Sequence, residues 1–148
     1  MKATQAHKLF CLSLREQFPD YDEHLRGITA SDSRSGYRAW GSPKTLRKMD
    51  GTVAPCAAGG SLPFAYDDCV EVLRTVRERY PRACGRYGFV DTFNPLVNWY
   101  DPYVIGIDVG ITMLMAENQR TGFVWHTFMK NNEAQLGMQR AGFHEGHA

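Results

Sequence analysis

The side chains best suited to chemistry in this sequence are aspartates. Asp32 lies in a Ser31-Asp32-Ser33 stretch close to Arg34, Arg38 and two rings, Tyr37 and Trp40. Its ordinary use would be an Asx-turn or a helix cap; its functional use would be contact with a polar substrate. Asp108 falls in the first turn of an apolar helical stretch, where the helix dipole stabilises an acid. Capping explains such a residue, but a carboxylate kept ionised there also meets the requirement for a general base. Asp91 and Asp101 flank an aromatic loop and are placed either to bind hydroxyl groups or simply to be solvated. Trp40, Trp99, Tyr100 and Tyr103 stand in loops beside Asp, Asn and Pro. A ring stacked on the apolar face of a pyranose, rimmed by acids and amides, is the physics of carbohydrate recognition.

Other chemistries lack their signatures. No P-loop, G-x-G-x-x-G, H-E-x-x-H or G-x-S-x-G occurs. His144-Glu145-Gly146-His147 has the wrong spacing for a zinc protease and reads as a frayed tail. Cys11, Cys56, Cys69 and Cys84 form no C-x-x-C pair and the histidines do not cluster with them, so no metal or cofactor is expected. The net charge of +1, from 17 basic and 16 acidic residues, gives no electrostatic footprint for nucleic acid or an anionic membrane. No run approaches the ~18 apolar residues of a membrane span. No export signal is visible, so the sequence as written is expected in the cytoplasm.

The elements that must position these residues are mainly helical. With 148 residues and 43% hydrophobic content, the chain has the size and core material of one domain. Phe10, Leu14 and Phe18 recur at helical spacing and predict a helix over 4–18, stopped by Pro19. A long loop rich in Ser, Gly and rings follows to about Asp50. Residues 52–60 predict a small-residue helix suited to close packing, with Asp50 where a cap would help and Pro55 in its first turn. Residues 67–80 predict an outer amphipathic helix, with Val70, Leu73, Val76 and Tyr80 on its inner side. Residues 85–104 read as loop with a short strand pair near 85–90, and Phe89 and Phe93 as core. Ile107 to Asn118 is apolar nearly all round and predicts a helix buried on most sides. Two short helices, near 122–130 and 132–141, complete the chain.

Several blocks then carry a resemblance: Gly27-Ile28-Thr29-Ala30-Ser31-Asp32, Gly36-Tyr37-Arg38-Ala39-Trp40-Gly41 and Asp50-Gly51-Thr52-Val53-Ala54-Pro55. They are followed by Tyr87-Gly88-Phe89-Val90-Asp91-Thr92-Phe93-Asn94-Pro95, Ile105-Gly106-Ile107-Asp108-Val109-Gly110 and Met113-Leu114-Met115-Ala116-Glu117-Asn118. In this order they resemble the glucoamylase-like (β-1,2-glucanase type) glycoside hydrolase domain, also similar to a region of cyclic β-1,2-glucan synthases. Arg26 departs from the pattern, in which a Trp usually precedes the first block. The resemblance implies that residues 1–148 are the C-terminal portion of an (α/α)6 toroid, its last two to three helical hairpins. Long aromatic-rich loops and a short β-hairpin would accompany them. It implies a β-glucan substrate, Asp108 as the candidate catalytic base, and Asp32, Arg38, Trp40, Asp91, Trp99, Tyr100 and Tyr103 as substrate-binding residues. The acid would lie upstream of the matched part, leaving this stretch weak or inactive alone. The partners implied are an oligo- or polysaccharide and either the rest of the domain or a second copy. An intact parent would be periplasmic.

Overall fold

The computed structural model describes residues 2–40 and 48–143 of the chain. Gly41, the remainder of the 41–47 stretch and the His144–His147 tail lie outside the described residues. Six helices carry the fold: α1 (Lys2–Ser13), α2 (Pro55–Gly59), α3 (Tyr66–Arg79), α4 (Gly106–Thr121), α5 (Phe123–Phe128) and α6 (Asn132–Arg140). Three two-residue antiparallel hairpins join them. These are β1 (Ala30–Ser31) with β2 (Arg38–Ala39), β3 (Cys84–Gly85) with β4 (Gly88–Phe89), and β5 (Phe93–Asn94) with β6 (Trp99–Tyr100).

The helix expected over 4–18 ends at Ser13, whose hydroxyl donates to the Phe10 carbonyl at 2.7 Å. Such local bonding competes with the helix ladder. The following turns instead deliver Phe18 and Tyr21 to the core. The small-residue helix starts at Pro55 rather than Thr52, because Val53 is extended and exchanges backbone hydrogen bonds with Phe93 (2.7 and 3.0 Å). Proline at the first helical position loses no needed donor. Asp50 does not cap this helix; its Oδ1 accepts the Thr52 N–H at 2.9 Å and closes a local turn.

The core is built from Cys11, Phe18, Tyr21, Leu25, Val53, Val72, Val76 and Phe93, so α1, α3 and the 50–54 and 91–94 segments converge on it. On α3, Cys69, Val72 and Val76 face inward, while Val70, Leu73 and Tyr80 pack only at its margin. Phe93 is fully buried; Phe89 is half-buried. All four cysteines are free thiols. The strand pair expected near 85–90 is present, and β5–β6 adds a second whose turn places Asn98 in the left-handed region (φ 48°).

The largest departure concerns α4. Its composition predicts burial on most sides, yet only Met115 and Asn118 are buried. Ile107 is 78% exposed and Met113 66% exposed. Among the described residues α4 packs mainly on α2 and α5, which leaves much of its remaining apolar surface exposed. No helix among the described residues is long and apolar enough to cross a membrane.

Candidate active site

Three segments far apart in sequence are stitched together by backbone bonds. Gly27 O accepts Ala54 N–H (2.9 Å), Asp91 N–H donates to Tyr103 O (3.1 Å) and Asp101 N–H donates to Thr92 O (3.0 Å). Gly27 is required at its position: its φ is +151°, and a Cβ there would come within 2.3 Å of the Ala54 carbonyl oxygen. Tyr21 Oη donates to Thr52 O at 2.6 Å, and Asn94 Nδ2 to Asp50 O at 2.8 Å. Donors and acceptors that would otherwise be stranded beside the core are thereby satisfied. The result is a fixed loop platform under the N-terminal turn of α4.

On this platform the aspartates converge. Asp32 N–H donates to Asp91 Oδ2 at 2.8 Å, and Thr92 Oγ1 donates to Asp32 O at 2.8 Å. The Tyr103 N–H donates to Asp101 Oδ1 at 2.7 Å. One carboxylate oxygen from each of Asp32, Asp91 and Asp101 lies within 4.8 Å of the others. Loop amides already occupy oxygens of two members, so the trio is held by backbone donors. Asp91 is 3% exposed. Burial above all, with a hydrogen bond to Asp108 and the charges of Asp108 and Asp101, pushes its carboxyl up to about 6, against the opposing Asp32 N–H.

Asp108 stands at the first turn of α4, opposite the platform. Its Oδ2 is buried and has no hydrogen-bond donor among the described residues. The Thr112 hydroxyl, one turn on, bonds the Asp108 carbonyl oxygen at 2.9 Å. Cys56 on α2 faces the same place; burial, followed by Asp108 and Asp91, pushes its thiol up to about 12. It therefore stays a neutral thiol and weak donor.

Asp32, Asp91 and Asp108 line one open cleft of about 650 Å³, together with Tyr37, Cys56 and Ile107. Sequence reasoning assigned no site role to Tyr37 or Cys56. Tyr37 had a signal, since it lies between Gly36 and Arg38 within the loop already singled out. Cys56 had none, because its proximity to Asp108 arises only from the packing of α2 on α4. Arg38 and Trp40 sit beside the cleft: the guanidinium lies 5.9 Å from the Trp40 ring centroid, and Trp40 Nε1 is buried without a partner among the described residues. Trp99, Tyr100 and Tyr103 do not line the cleft. Trp99 pairs with Asn94 across β5–β6. Tyr100 stacks on Phe93 (centroids 5.6 Å, planes 9° apart) beneath Arg82, and so extends the core. Tyr103 contributes its backbone to the Asp91 and Asp101 loops while its side chain is exposed. A larger groove of about 900 Å³ runs between α3 and α4, but it is lined mainly by apolar and arginine side chains, with Glu78 its one carboxylate.

Comparisons with known proteins agree with one another. Residues 1–132 match the family model described as "Putative glucoamylase". The chain is 34% identical over 140 residues to an exo-β-1,2-glucooligosaccharide sophorohydrolase (non-reducing end) of Parabacteroides distasonis, covering 94% of this chain and 19% of that protein. A solved protein from Bacteroides uniformis, a "putative glucoamylase", is 36% identical with a TM-score of 0.82, covering 93% of this chain and 32% of its own. An endo-β-1,2-glucanase from Chitinophaga pinensis, solved with sophorotriose and glucose, is 28% identical with a TM-score of 0.82, covering 92% and 32%. The chain thus spans about a fifth of the curated relative and about a third of the solved ones.

Proposed function

The chain belongs to the family described as "Putative glucoamylase", and from that membership we propose that it forms part of a glycoside hydrolase acting on β-1,2-linked glucan. Residues 1–148 correspond on this reading to the C-terminal portion of the toroidal domain. The observation that carries the proposal is the buried, donor-free Asp108 Oδ2 in a cleft shared with Asp32 and Asp91. A carboxylate so placed, at the positive end of a helix, can accept a proton from an attacking water. Tyr37 offers the ring against which a sugar face would stack, while Asp32, and Arg38 and Trp40 beside the cleft, would meet its hydroxyls. Near-neutral net charge suits an uncharged substrate.

Asp108 needs a second carboxyl as acid. Retaining glycosidases set the two roughly 5–5.5 Å apart and inverting ones roughly 6.5–9.5 Å. Asp91 hydrogen-bonds Asp108, which pairs the two carboxyls with each other rather than setting them on opposite sides of a sugar. On the family reading the acid lies upstream of the matched part, and residues 1–148 alone turn over glucan weakly or not at all. The test is calorimetry with β-1,2-glucooligosaccharides beside an assay for released reducing ends. Binding without hydrolysis is expected. Absence of binding would remove the substrate reading, and full hydrolysis by the 148-residue polypeptide would remove the missing-acid reading.

A non-catalytic carbohydrate-binding role would instead survive Asp108→Asn and fail in Tyr37→Ala, which removes the ring that lines the cleft. A protein-interaction role is favoured by the uncovered apolar faces of α4 to α6, including Ile107, Met113, Phe123 and Phe128. Its signature is a mass that rises with concentration and no affinity for glucan.

A further inference from the structure

The geometry points to Asp91 as a positioning residue: we infer that a single proton held between Asp91 and Asp108 fixes the Asp108 carboxylate in the cleft. The inference rests on Asp108 being the base of the proposed site, and assigns Asp91 a task distinct from binding sugar.

Three structural facts carry it. Asp108 Oδ2 is a buried acceptor with no donor, an arrangement that leaves a desolvated oxygen uncompensated. Asp91, nearly fully buried, lines the same cleft and hydrogen-bonds the Asp108 carboxyl. The Asp32 N–H already occupies Asp91 Oδ2, which leaves Oδ1 as the better seat for a proton. A protonated Asp91 supplies a stronger donor to Asp108 than the neighbouring Cys56 thiol does, and two charges become one.

The proton resides on Asp91 rather than Asp108 for physical reasons. Asp108 lies in the first turn of a 16-residue helix, whose dipole favours its ionised form. Burial and the charges of Asp108 from α4 and Asp101 after β6 oppose the ionised form of Asp91, while Asp32 from the β1–β2 loop and the neutral Cys56 thiol from α2 complete its surroundings. The Asp32 N–H favours the charge, and burial outweighs it. Above the Asp91 titration both carboxylates are ionised and repel each other, and Asp108 loses its tether. Below it, Asp108 keeps one oxygen tied and the other free for water. The pair titrates as a unit, so its behaviour belongs to both residues.

The experiment follows aspartate carboxyl resonances of the ¹³C-labelled 148-residue chain from acid to above neutrality. One carboxyl, identified by its loss in Asp91→Asn, is expected to titrate near 6 and to shift downward in Asp108→Asn. An Asp91 signal that titrates as an ordinary aspartate, or that ignores Asp108→Asn, overturns the inference. Asp91→Asn keeps an acceptor for Asp32 and offers a permanent amide donor to Asp108. It should bind β-1,2-glucooligosaccharide as wild type does at acid pH and lose the weakening seen as pH rises. Asp91→Ala, with no donor, should bind about tenfold more weakly at every pH. Equal binding by the Asn and Ala variants would overturn the positioning role. If no protein binds the oligosaccharide while the coupled titration is present, the functional reading fails and the shared proton stands.

Discussion

Gly59 offers a direct test of how α2 holds the α4 helix that bears Asp108. A Cβ at Gly59 would lie 2.2 Å from Thr112 Oγ1, 2.8 Å from its Cγ2 and 2.9 Å from its Cβ. Thr112 cannot simply swing aside, since its hydroxyl bonds the Asp108 carbonyl and its β-branch would present the other substituent. In Gly59→Ala the helices must separate, and overpacking of this kind costs roughly 1–3 kcal/mol. A contact of 2.2 Å puts the cost in the upper half of that range, and alanine recovers roughly 0.5–1 kcal/mol of helix propensity, so the net loss should be about 1–2.5 kcal/mol. Gly110→Ala on α4 is the control, because a Cβ there meets nothing within 4 Å; it should stabilise by about 0.5–1 kcal/mol. Urea unfolding followed by circular dichroism reads both. Pairing Gly59→Ala with Thr112→Ala removes two of the three clashes, so the double variant should lose less than the two single losses added together. If Gly59→Ala is as stable as wild type, or gains as Gly110→Ala does, the close approach of α2 and α4 is not what holds Asp108.

Tyr21→Phe should cost about 1–2 kcal/mol in the same assay, because it leaves the buried Thr52 carbonyl without its 2.6 Å donor; an unchanged midpoint would show that bond to be dispensable. His7 Nε2 accepts the Ile28 N–H at 3.2 Å, and burial, then Arg26, hold its pKa below the usual 6.5. The folded state thus disfavours the proton, so this contribution is full above pH 6.5 and is lost as pH falls through the lowered value. His7→Gln should flatten that part of the pH–stability profile, and a profile parallel to wild type would refute the assignment. Sedimentation at increasing concentration should show self-association through the α4–α6 face, weakened by Ile107→Lys or Met113→Lys. A monomer at all concentrations would mean that these exposed side chains are tolerated singly.

Periodicity located the helices well because α3 and α4 each repeat apolar residues over more than three turns. It overran α1 and began α2 early, since both boundaries are decided by distant partners: the core needs Phe18 and Tyr21, and Val53 pairs with Phe93. Two-residue strands have no period to read, so the short hairpins β1–β2 and β5–β6 left no signal of their own. The exposure of α4 was illegible for a related reason. Composition says that a helix wants cover, not whether a neighbour supplies it. At the site, Asp32 and Asp108 were legible from local loop and helix-start chemistry. The burial of Asp91, and the arrival of Cys56 and Tyr37 beside it, depend on packing between segments.

The stitched loop platform also dictates an order of events during folding. Helices α3 and α4 form from neighbouring residues, but Asp32 and Asp91 are 59 positions apart and Tyr21 is 31 from Thr52. Contacts of such range require loop closure before they return any energy, so they form late. When they do close, they drive three carboxylates within 4.8 Å of one another. Electrostatic repulsion among them therefore opposes the closure that assembles the cleft.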